Sequence, residues 1–248
     1  DIMCNQDVKF KLFYDTARAD GADLIATGHY ARAEGSRLLQ ATDTDKDQTY
    51  FLYRIKGEVL EKVLFPLAKY KKVQVRKLAQ ERSLITASKK DSQGICFVGS
   101  VSIRDFLSRY VDTNYGDIVD KQTGKTIGRH DGAIFYTLGQ RHGLDVGGGL
   151  PYYVVGKDTD KNIVYASQQL DDASMWRKEI QLRDLHWINL APKSADKLTV
   201  RLRHRGELLP ATLRGVELTL EKPERAVAAG QSAVIYRGEE CLGGGIVV

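Results

Sequence analysis

Two stretches near the end of the chain, RAVAAGQSAVIYRG (residues 225–238) and CLGGGIVV (residues 241–248), decide the expected fold. Both are largely apolar runs bounded by glycine or charged residues, which is typical of β-strands. From about residue 180 onward nearly every segment has this character, and turn residues separate one segment from the next. Short strands in regular succession predict a small β-barrel at the C-terminal end of the chain.

The N-terminal residues show a different pattern, in which a helix precedes a buried strand. Helical spacing places apolar side chains on and beside one face of residues 5–20: Val8, Leu12 and Ala17, flanked by Phe10, Phe13 and Tyr14. The short apolar run at residues 24–27 then predicts a buried strand that ends in the loop residues Gly28 and His29. A helix followed by such a strand predicts an α/β layer, with its polar loop at the carboxyl end of the strand.

The middle of the chain connects these two patterns. Residues 74–84 predict an amphipathic helix, residues 102–111 a short helix, and the segments after residue 115 predict short strands separated by turns. We therefore predict an α/β + β fold with three domains: an α/β domain at residues 1–100, a small central α+β domain at residues 101–165 and a β-barrel at residues 166–248.

Composition narrows the classes of protein that this chain can represent. Of the 248 residues 42% are hydrophobic and 28% are charged, which is ordinary for a globular protein. No apolar run is long enough to span a membrane and the first residues do not resemble a secretory signal, so we expect no membrane partner. The net charge of +5 fits either a mildly basic surface or a nucleic-acid partner. Basic residues concentrate in KYKKVQVRK (residues 69–77) and RLRHRGELLPATLR (residues 201–214).

The three cysteines, Cys4, Cys96 and Cys241, are widely spaced. An odd number at such spacings argues against a disulfide framework and predicts a reducing compartment, which we take to be the cytoplasm. No pair of cysteines or histidines has zinc-ligand spacing, so we expect no metal site built from them.

The stretch KKDSQGICFVGS (residues 89–100) permits two interpretations of its cysteine. Cys96 is a small core residue, or it is a reactive thiolate that Lys89, Lys90 and nearby backbone N–H groups stabilise. The same question concerns Cys4, which has a carboxylate at Asp1 one helical turn away. For Cys241, inside a predicted barrel strand, the core interpretation is favoured.

Several segments, in order along the chain, resemble the tRNA-specific 2-thiouridylases, the bacterial enzymes that modify the wobble uridine of tRNA. They are DIMCNQDVKFK (1–11), GADLIATGHYAR (21–32), DKDQTYFLYRI (45–55), TASKKDSQGICFVG (86–99), YTLGQRHGL (136–144) with GGGLPYYVVGKD (147–158), RLRHRG (201–206) and GQSAVIYRGEECLGGGIV (230–247). The resemblance covers essentially the whole chain. Two small departures are Ile85, where the family often has Pro, and His204, where it often has Tyr.

A larger departure concerns the nucleotide-binding part of the family. The resemblance implies that residues 1–100 are the C-terminal part of a PP-loop domain of the adenine nucleotide alpha hydrolase type, yet the sequence contains no S-G-G-x-D-S phosphate loop. We expect this chain to be a fragment of a longer enzyme, inactive by itself, or else a truncated paralogue.

The resemblance implies an ATP-dependent sulfurtransferase that replaces the C2 oxygen of uridine through adenylation and a cysteine persulfide. By motif position, Cys96 carries the persulfide, Cys4 is the second, nucleophilic cysteine, and Asp1 is an acid or base near the target uracil. Gly28 contacts ATP through its backbone. ATP with Mg²⁺, but no prosthetic group, and a sulfur-donor relay protein are the implied cofactors and partner.

The resemblance also implies contacts with tRNA from both ends of the chain. The residues at the corresponding motif positions are His29, Lys46, Asp47, Gln48, Arg203, His204 and Gln231, so the C-terminal barrel would be tRNA-binding. Two alternatives are a tRNA-binding module without ATP-dependent activity and a cysteine-based redox enzyme or peptidase. The second lacks any local catalytic signature in this sequence.

Overall fold

The computed structural model describes residues 1–89, 106–111, 113–144, 146–147, 151–169, 175–193 and 196–248. The chain divides into two compact units. The first combines Asp1–Ser92, Glu179–Lys222 and Ala229–Val248, and the second combines Gln93–Lys178 with Pro223–Ala228. Within the described ranges, no helix has the length and apolar character needed to cross a membrane. The three domain boundaries drawn from the sequence stay a prediction.

The described helical elements are the π-helical turns Cys4–Phe13, the α-helices α1 (Tyr14–Ala19), α2 (Gly57–Leu60) and α3 (Lys72–Glu81), and the 3₁₀ turns Thr49–Phe51 and Ala133–Phe135. The strands are β1 (Ile25–Ala26), β2 (Arg32–Glu34), β3 (Arg37–Leu39), β4 (Val63–Leu64), β5 (Gly116–Asp120), β6 (Thr126–His130), β7 (Tyr153–Asp158), β8 (Ile163–Ser167), β9 (Trp176–Trp187), β10 (Leu198–Arg201), β11 (Leu209–Arg214), β12 (Glu217–Arg225), β13 (Ser232–Arg237) and β14 (Glu240–Val247).

The predicted barrel is present and closed. Its six strands follow the order β13-β10-β11-β12-β9-β14, and pairing between β13 and β14 completes the circle. Strand closure removes the unpaired edges that an open sheet would expose to other chains. The N-terminal hairpin of β2 and β3 is added outside this circle, because β3 pairs with β14 through Leu38 and Leu39.

Strand β14 therefore pairs with three other strands, and its glycines make this possible. A Cβ on Gly244 would overlap the carbonyl oxygen of Ala233 in β13, and a Cβ on Gly243 would overlap that of His186 in β9. Gly243 also has a φ of +145°, a conformation that side-chain-bearing residues rarely adopt. The GGG run thus allows main chains on both sides to approach β14 closely.

The predicted N-terminal helix is present, and Phe10, Tyr14 and Ala17 lie in or against the core as its apolar pattern indicates, but its buried face differs in part. Asn5 and Phe10 are the buried residues of the π-helical turns, whereas Val8 and Leu12 are exposed. A π-helix bonds each residue to the one five positions away, so residues five apart share a face. The α-helical spacing that placed Val8 and Leu12 on the buried side is wrong for this reason.

The core of the first unit contains side chains from both ends of the sequence. Phe10 and Leu38 from the N-terminal region belong to the same buried cluster as Ile188, Val234 and Tyr236 from the barrel. Strands β1 and β4 form a separate two-stranded parallel sheet, in which Ile25 is opposite Val63. The N-terminal α/β segment and the barrel are thus held together by a shared apolar core.

The second unit contains a four-stranded sheet in the order β6-β5-β8-β7. Strands β5 and β8 are parallel, and the other two pairings are antiparallel. Ile118, Val154 and Val164 are fully buried at the centre of its core. The strands predicted after residue 115 are confirmed, and so is the amphipathic helix, which is α3 in the first unit. The short helix predicted at residues 102–111 lies partly outside the described residues.

We expect the substitution Gly244→Ala to lower the free energy of unfolding by about 3 kcal/mol, the upper end of the usual cost of overpacking. The added methyl group would force β13 and β14 apart where they close the barrel. Denaturant titration followed by circular dichroism measures the change. Gly28→Ala is the matched control, because a Cβ there meets nothing within 4 Å and the unfolding midpoint should not change. Equal midpoints for the two variants would contradict the constraint on β14.

Candidate functional site

All the site residues expected from the sequence, except Cys96, lie in the described part of the first unit. Cys96 lies outside the described residues. The other residues fall on three segments: the first helical turn with the β1 loop, the segment that leads into the 3₁₀ turn Thr49–Phe51, and the barrel.

The first turn of the chain presents Cys4 next to a buried asparagine. Cys4 is partly exposed and is a free thiol, and Asp1 is exposed. Asn5 is buried, its backbone N–H donates to the Asp1 carbonyl at 2.9 Å, and its Nδ2 donates to the Phe51 carbonyl at 3.1 Å. Asn5 therefore fixes the turn that carries Cys4 against the 3₁₀ turn.

The loop after β1 carries Gly28 and His29. Gly28 is exposed, and the space where its side chain would lie is open. His29 is half-buried: its ring centroid lies 5.7 Å from that of Phe10 and 6.4 Å from that of Phe65, and its Nδ1 is 3.0 Å from Thr27 Oγ1. Burial, with a smaller effect of a nearby lysine, lowers the pKa of His29 to about 4, so the ring is neutral at physiological pH.

Asp47 is inside the protein, not on its surface. Its Oδ1 accepts the Ala41 N–H at 3.0 Å, and its Oδ2 accepts the Thr49 hydroxyl at 2.6 Å and Arg201 Nη1 at 3.0 Å. The side chain has no exposed area. In this arrangement the carboxylate is fully engaged by protein groups, which leaves only the main chain of Asp47 for the tRNA contact expected from the sequence.

Lys46 and Gln48 flank Asp47 and are both half-buried. The side-chain oxygen of Gln48 accepts the Tyr30 N–H at 2.9 Å, and the Gln48 N–H donates to the Tyr30 carbonyl at 2.8 Å. Since Tyr30 directly follows His29, these two bonds tie the segment of Lys46 and Gln48 to the β1 loop. The structure thus brings His29, Lys46 and Gln48, three of the residues predicted to contact tRNA, into one region.

Arg201 and Tyr236 complete the buried network around Asp47. The guanidinium carbon of Arg201 lies 5.4 Å from the Tyr236 ring centroid, and the Tyr236 hydroxyl is 3.1 Å from Thr49 Oγ1. The Thr49 hydroxyl already donates to Asp47, so the Tyr236 hydroxyl is the donor in this bond. Burial raises the pKa of Tyr236 well above its ordinary value, which keeps that proton on the phenol.

His204 packs on aromatic side chains beside this network. Its ring centroid lies 4.4 Å from that of Phe51 and 6.2 Å from that of Tyr50. Burial and the positive charges of Arg205 and Arg201 lower the pKa of His204, so this ring too is neutral at physiological pH. Its Nδ1 is buried and has no hydrogen-bond partner among the described residues. The His204 ring therefore lies against the aromatic residues of the 3₁₀ turn Thr49–Phe51.

Arg203 follows strand β10 of the barrel by two residues, and Gln231 directly precedes strand β13. Arg203 is exposed and Gln231 is half-buried. The neighbour of Gln231, Ser232, accepts the Tyr50 hydroxyl at its carbonyl oxygen at 2.9 Å, and its own hydroxyl is 3.1 Å from that of Tyr53. Hydrogen bonds and ring contacts therefore connect Asn5, next to Cys4, through the 3₁₀ turn to Ser232, next to Gln231.

Sequence reasoning missed Asn5 and the structural role of Arg201. No motif or periodicity pointed to Asn5, whose burial follows from the π-helical turns. In the sequence Arg201 belongs to a basic cluster. Strand alternation does not predict its burial either, because Leu198 and Val200 of β10 are buried and the residue after Val200 is expected to face outward. A buried ion-pair partner for Arg201 was not visible before the fold placed Asp47 beside it.

The described residues do not form a metal site. Across those residues, no group of three or more His, Cys, Asp and Glu side chains is arranged to hold an ion. The open space at Gly28 fits a ligand that approaches the main chain closely.

Three family models match the chain in succession. They are described as "tRNA methyl transferase HUP domain" over residues 1–100, "tRNA methyl transferase PRC-barrel domain" over residues 104–168 and "Aminomethyltransferase beta-barrel domain" over residues 177–247. With the closed barrel of the structure, these matches broadly confirm the expected fold class: an α/β region, a small middle domain and a C-terminal β-barrel.

Curated relatives match over the entire chain. The tRNA-specific 2-thiouridylase MnmA 2 of Geobacillus kaustophilus is 42% identical over 258 residues, covering 100% of this chain and 69% of the relative. The MnmA enzymes of Bacillus subtilis, 42% identical, and Neisseria meningitidis serogroup C, 45% identical, are each covered to 70% by the whole of this chain. On this evidence the chain belongs to the family of tRNA-specific 2-thiouridylases.

Proposed function

We propose that this chain carries out the 2-thiolation of the wobble uridine of tRNA, as a tRNA-uridine 2-sulfurtransferase. The observation that carries the proposal is identity of 42% to 45%, across the whole chain, to enzymes named for that activity. The geometry supports it, because a partly exposed free thiol, Cys4, lies on the turn that Asn5 ties to the segment of predicted tRNA contacts.

The proposed chemistry begins with activation of the uracil. The C2 oxygen attacks the α-phosphorus of ATP, pyrophosphate leaves, and an adenylated uridine forms. Asp1 would accept the proton that N3 loses in this step and return it at the end. Gly28, exposed and without steric obstruction, would approach the nucleotide through its backbone. The phosphate contacts are not assigned to any described residue.

Sulfur transfer follows from the adenylated base. The terminal sulfur of a persulfide on Cys96 attacks C2, the C2–O bond breaks and AMP leaves. The Cys4 thiolate then attacks the sulfur of Cys96, and the bond between that sulfur and the transferred sulfur breaks. The electron pair remains on the transferred sulfur as the thiocarbonyl, and Cys4 and Cys96 are left as a disulfide. An external thiol reduces that disulfide, and a sulfur-donor protein restores the persulfide.

The proposed tRNA surface extends from the β1 loop to the barrel. Lys46 and Arg203 would contact phosphates, while the neutral rings of His29 and His204 would stack or donate hydrogen bonds. Gln231 would add a polar contact at the barrel. The connection of these residues through the 3₁₀ turn supports one continuous surface.

A second candidate is a tRNA-binding chain without ATP-dependent activity. In that candidate the same residues would bind tRNA, but no sulfur would be transferred. Mass spectrometry of nucleosides from tRNA incubated with the protein, ATP and a persulfide donor separates the two candidates. The same measurement distinguishes sulfur-for-oxygen exchange from an added methyl group, which the names of two matching family models mention.

In the enzyme that contains this chain, we expect Cys4→Ser and Cys96→Ser each to abolish thiolation, because each removes one sulfur of the proposed relay. Cys241→Ala is the control. Burial raises the pKa of Cys241 above its ordinary range and the side chain is 1% exposed, so its removal should leave thiolation unchanged. A non-reduced digest after mild oxidation should contain a Cys4–Cys96 disulfide with Cys241 free. Full thiolation by Cys96→Ser, or Cys241 in the disulfide, would refute the relay.

We expect tRNA binding to weaken steeply with salt and to depend on Arg203. Arg203→Ala should lower the slope of log Kd against log salt by about 1 and weaken binding about fivefold near physiological salt, the effect of one phosphate contact. Filter binding of an unmodified tRNA transcript across a salt series measures both quantities. Exposed Arg214 lies on strand β11, so Arg214→Ala controls for loss of one positive charge of the barrel. Equal salt slopes for the wild type and Arg203→Ala would show that Arg203 does not contact a tRNA phosphate.

The His29 contact should be insensitive to pH in the range where histidines usually titrate. Because the pKa of His29 is lowered to about 4, the ring carries no charge at pH 6 or at pH 8. The loss of affinity caused by His29→Gln should therefore be the same at both pH values, measured with the same tRNA transcript. A larger loss at pH 6 would indicate a charged imidazolium in contact with phosphate.

A further inference from the structure

The buried ion pair of Asp47 and Arg201 joins two distant parts of the chain. The residues are 154 positions apart, and their side chains are 0% and 9% exposed. Asp47 precedes the 3₁₀ turn Thr49–Phe51, and Arg201 is the last residue of β10. The pair therefore fixes the N-terminal segment to one particular position on the barrel wall.

Stability alone does not explain this pair. Two well-packed apolar residues of similar volume often stabilise a fold as well as a buried ion pair does, because both charges lose their hydration. Here the hydration loss is incompletely compensated, since Nε of Arg201 has no hydrogen-bond partner among the described residues. A charged pair has a more definite geometry than an apolar contact, because its bonds to Thr49 and Ala41 are directional.

The position of the pair suggests what that geometry is for. Lys46 and Gln48 are the immediate neighbours of Asp47, and Gln48 in turn holds the main chain of Tyr30 beside His29. Arg203 follows Arg201 by two residues. Residues proposed to contact tRNA thus extend from both partners of the pair, and the relative placement of the two groups depends on it.

We infer that Asp47 and Arg201 are positioning residues for the tRNA surface, acting through the ion pair and not by contact with tRNA. This inference rests on the proposed function. Asp47 fixes the positions of its neighbours Lys46 and Gln48, and Arg201 fixes the position of Arg203. The ion pair between Asp47 and Arg201 then fixes the distance between these two groups of residues, and that distance matches the spacing of tRNA phosphates. The role assigned to Asp47 differs from the direct contact that the motif implied.

The sign of the expected effect separates this role from simple electrostatics. Asp47→Asn removes a negative charge, which by itself should strengthen binding of a polyanion. If the pair positions Arg203, Asp47→Asn should instead weaken binding of the tRNA transcript about fivefold near physiological salt and lower the salt slope by about 1. The double variant with Arg203→Ala should lose less than the sum of the two single losses, because the Arg203 phosphate contact is lost in both.

Two further variants separate the positioning role from the change in net charge. Glu240→Gln removes one carboxylate from the Arg237 ion pair elsewhere on the barrel, so it matches the charge change and should not lower the slope. Thr49→Val leaves the net charge unchanged but removes the hydroxyl that donates to Asp47, and it should lower the slope in the same direction. If Asp47→Asn does not fold, Thr49→Val tests the positioning role in its place. All measurements are made at a temperature where circular dichroism shows each variant folded.

The outcomes separate the inference from the proposed function. A normal slope for Asp47→Asn and Thr49→Val, alongside a reduced slope for Arg203→Ala, overturns the positioning role and leaves the tRNA surface intact. Additive losses in the double variant overturn it as well. If wild type itself does not bind the transcript, or Arg203→Ala has no effect, the proposed tRNA surface fails and the inference fails with it.

Discussion

Strand β14 is the element on which the rest of the first unit depends. It closes the barrel by pairing with β13, continues the wall by pairing with β9, and accepts the N-terminal hairpin through β3. Three pairings along eight residues require neighbouring main chains to approach from both sides, and the glycines at 243–245 allow this because they carry no Cβ. The attachment of the N-terminal segment and the closure of the barrel are therefore consequences of one local constraint.

The second consequence is that residues from opposite ends of the sequence share one interior. The apolar core includes Phe10 and Tyr236, and the polar network inside it includes Asp47, Thr49 and Arg201. The apolar part holds the two segments together without a preferred direction. The polar part adds direction, because each hydrogen bond has a narrow geometry. Together they place the segment of Lys46 and Gln48 at a defined position on the barrel.

The environments of the two described cysteines suit different roles. Cys4 is partly exposed at the start of a helix, whereas Cys241 is enclosed in the barrel, where burial raises its pKa and keeps it a neutral thiol. Only the thiolate is a good nucleophile, so the buried cysteine is unsuited to sulfur transfer at neutral pH. Burial similarly lowers the pKa of His29 and of His204 and favours neutral rings, which suits stacking and hydrogen bonding better than charge pairing with phosphate.

The sequence by itself determined the elements that follow from local pattern. Short apolar runs separated by turn residues predicted the barrel strands, and helical periodicity predicted α3, because these patterns arise within one element. The apolar run at residues 24–27 predicted the position of β1, but only Ile25 of that strand is buried. Motif resemblance supplied the site residues and the family. It did not show which of those residues face solvent, since a motif records residue type and position but not burial.

Tertiary structure decided the rest. In the π-helical turns Asn5 and Phe10 are buried, whereas Val8 and Leu12 are exposed. A sequence pattern that assumes α-helical spacing does not detect this difference. Packing of the N-terminal segment against the barrel brought Asp47 beside Arg201 across 154 residues and turned a predicted surface contact into an internal ion pair. Both outcomes depend on contacts between residues far apart in the chain. Such contacts form only when the whole unit packs, so they leave no local trace in the sequence.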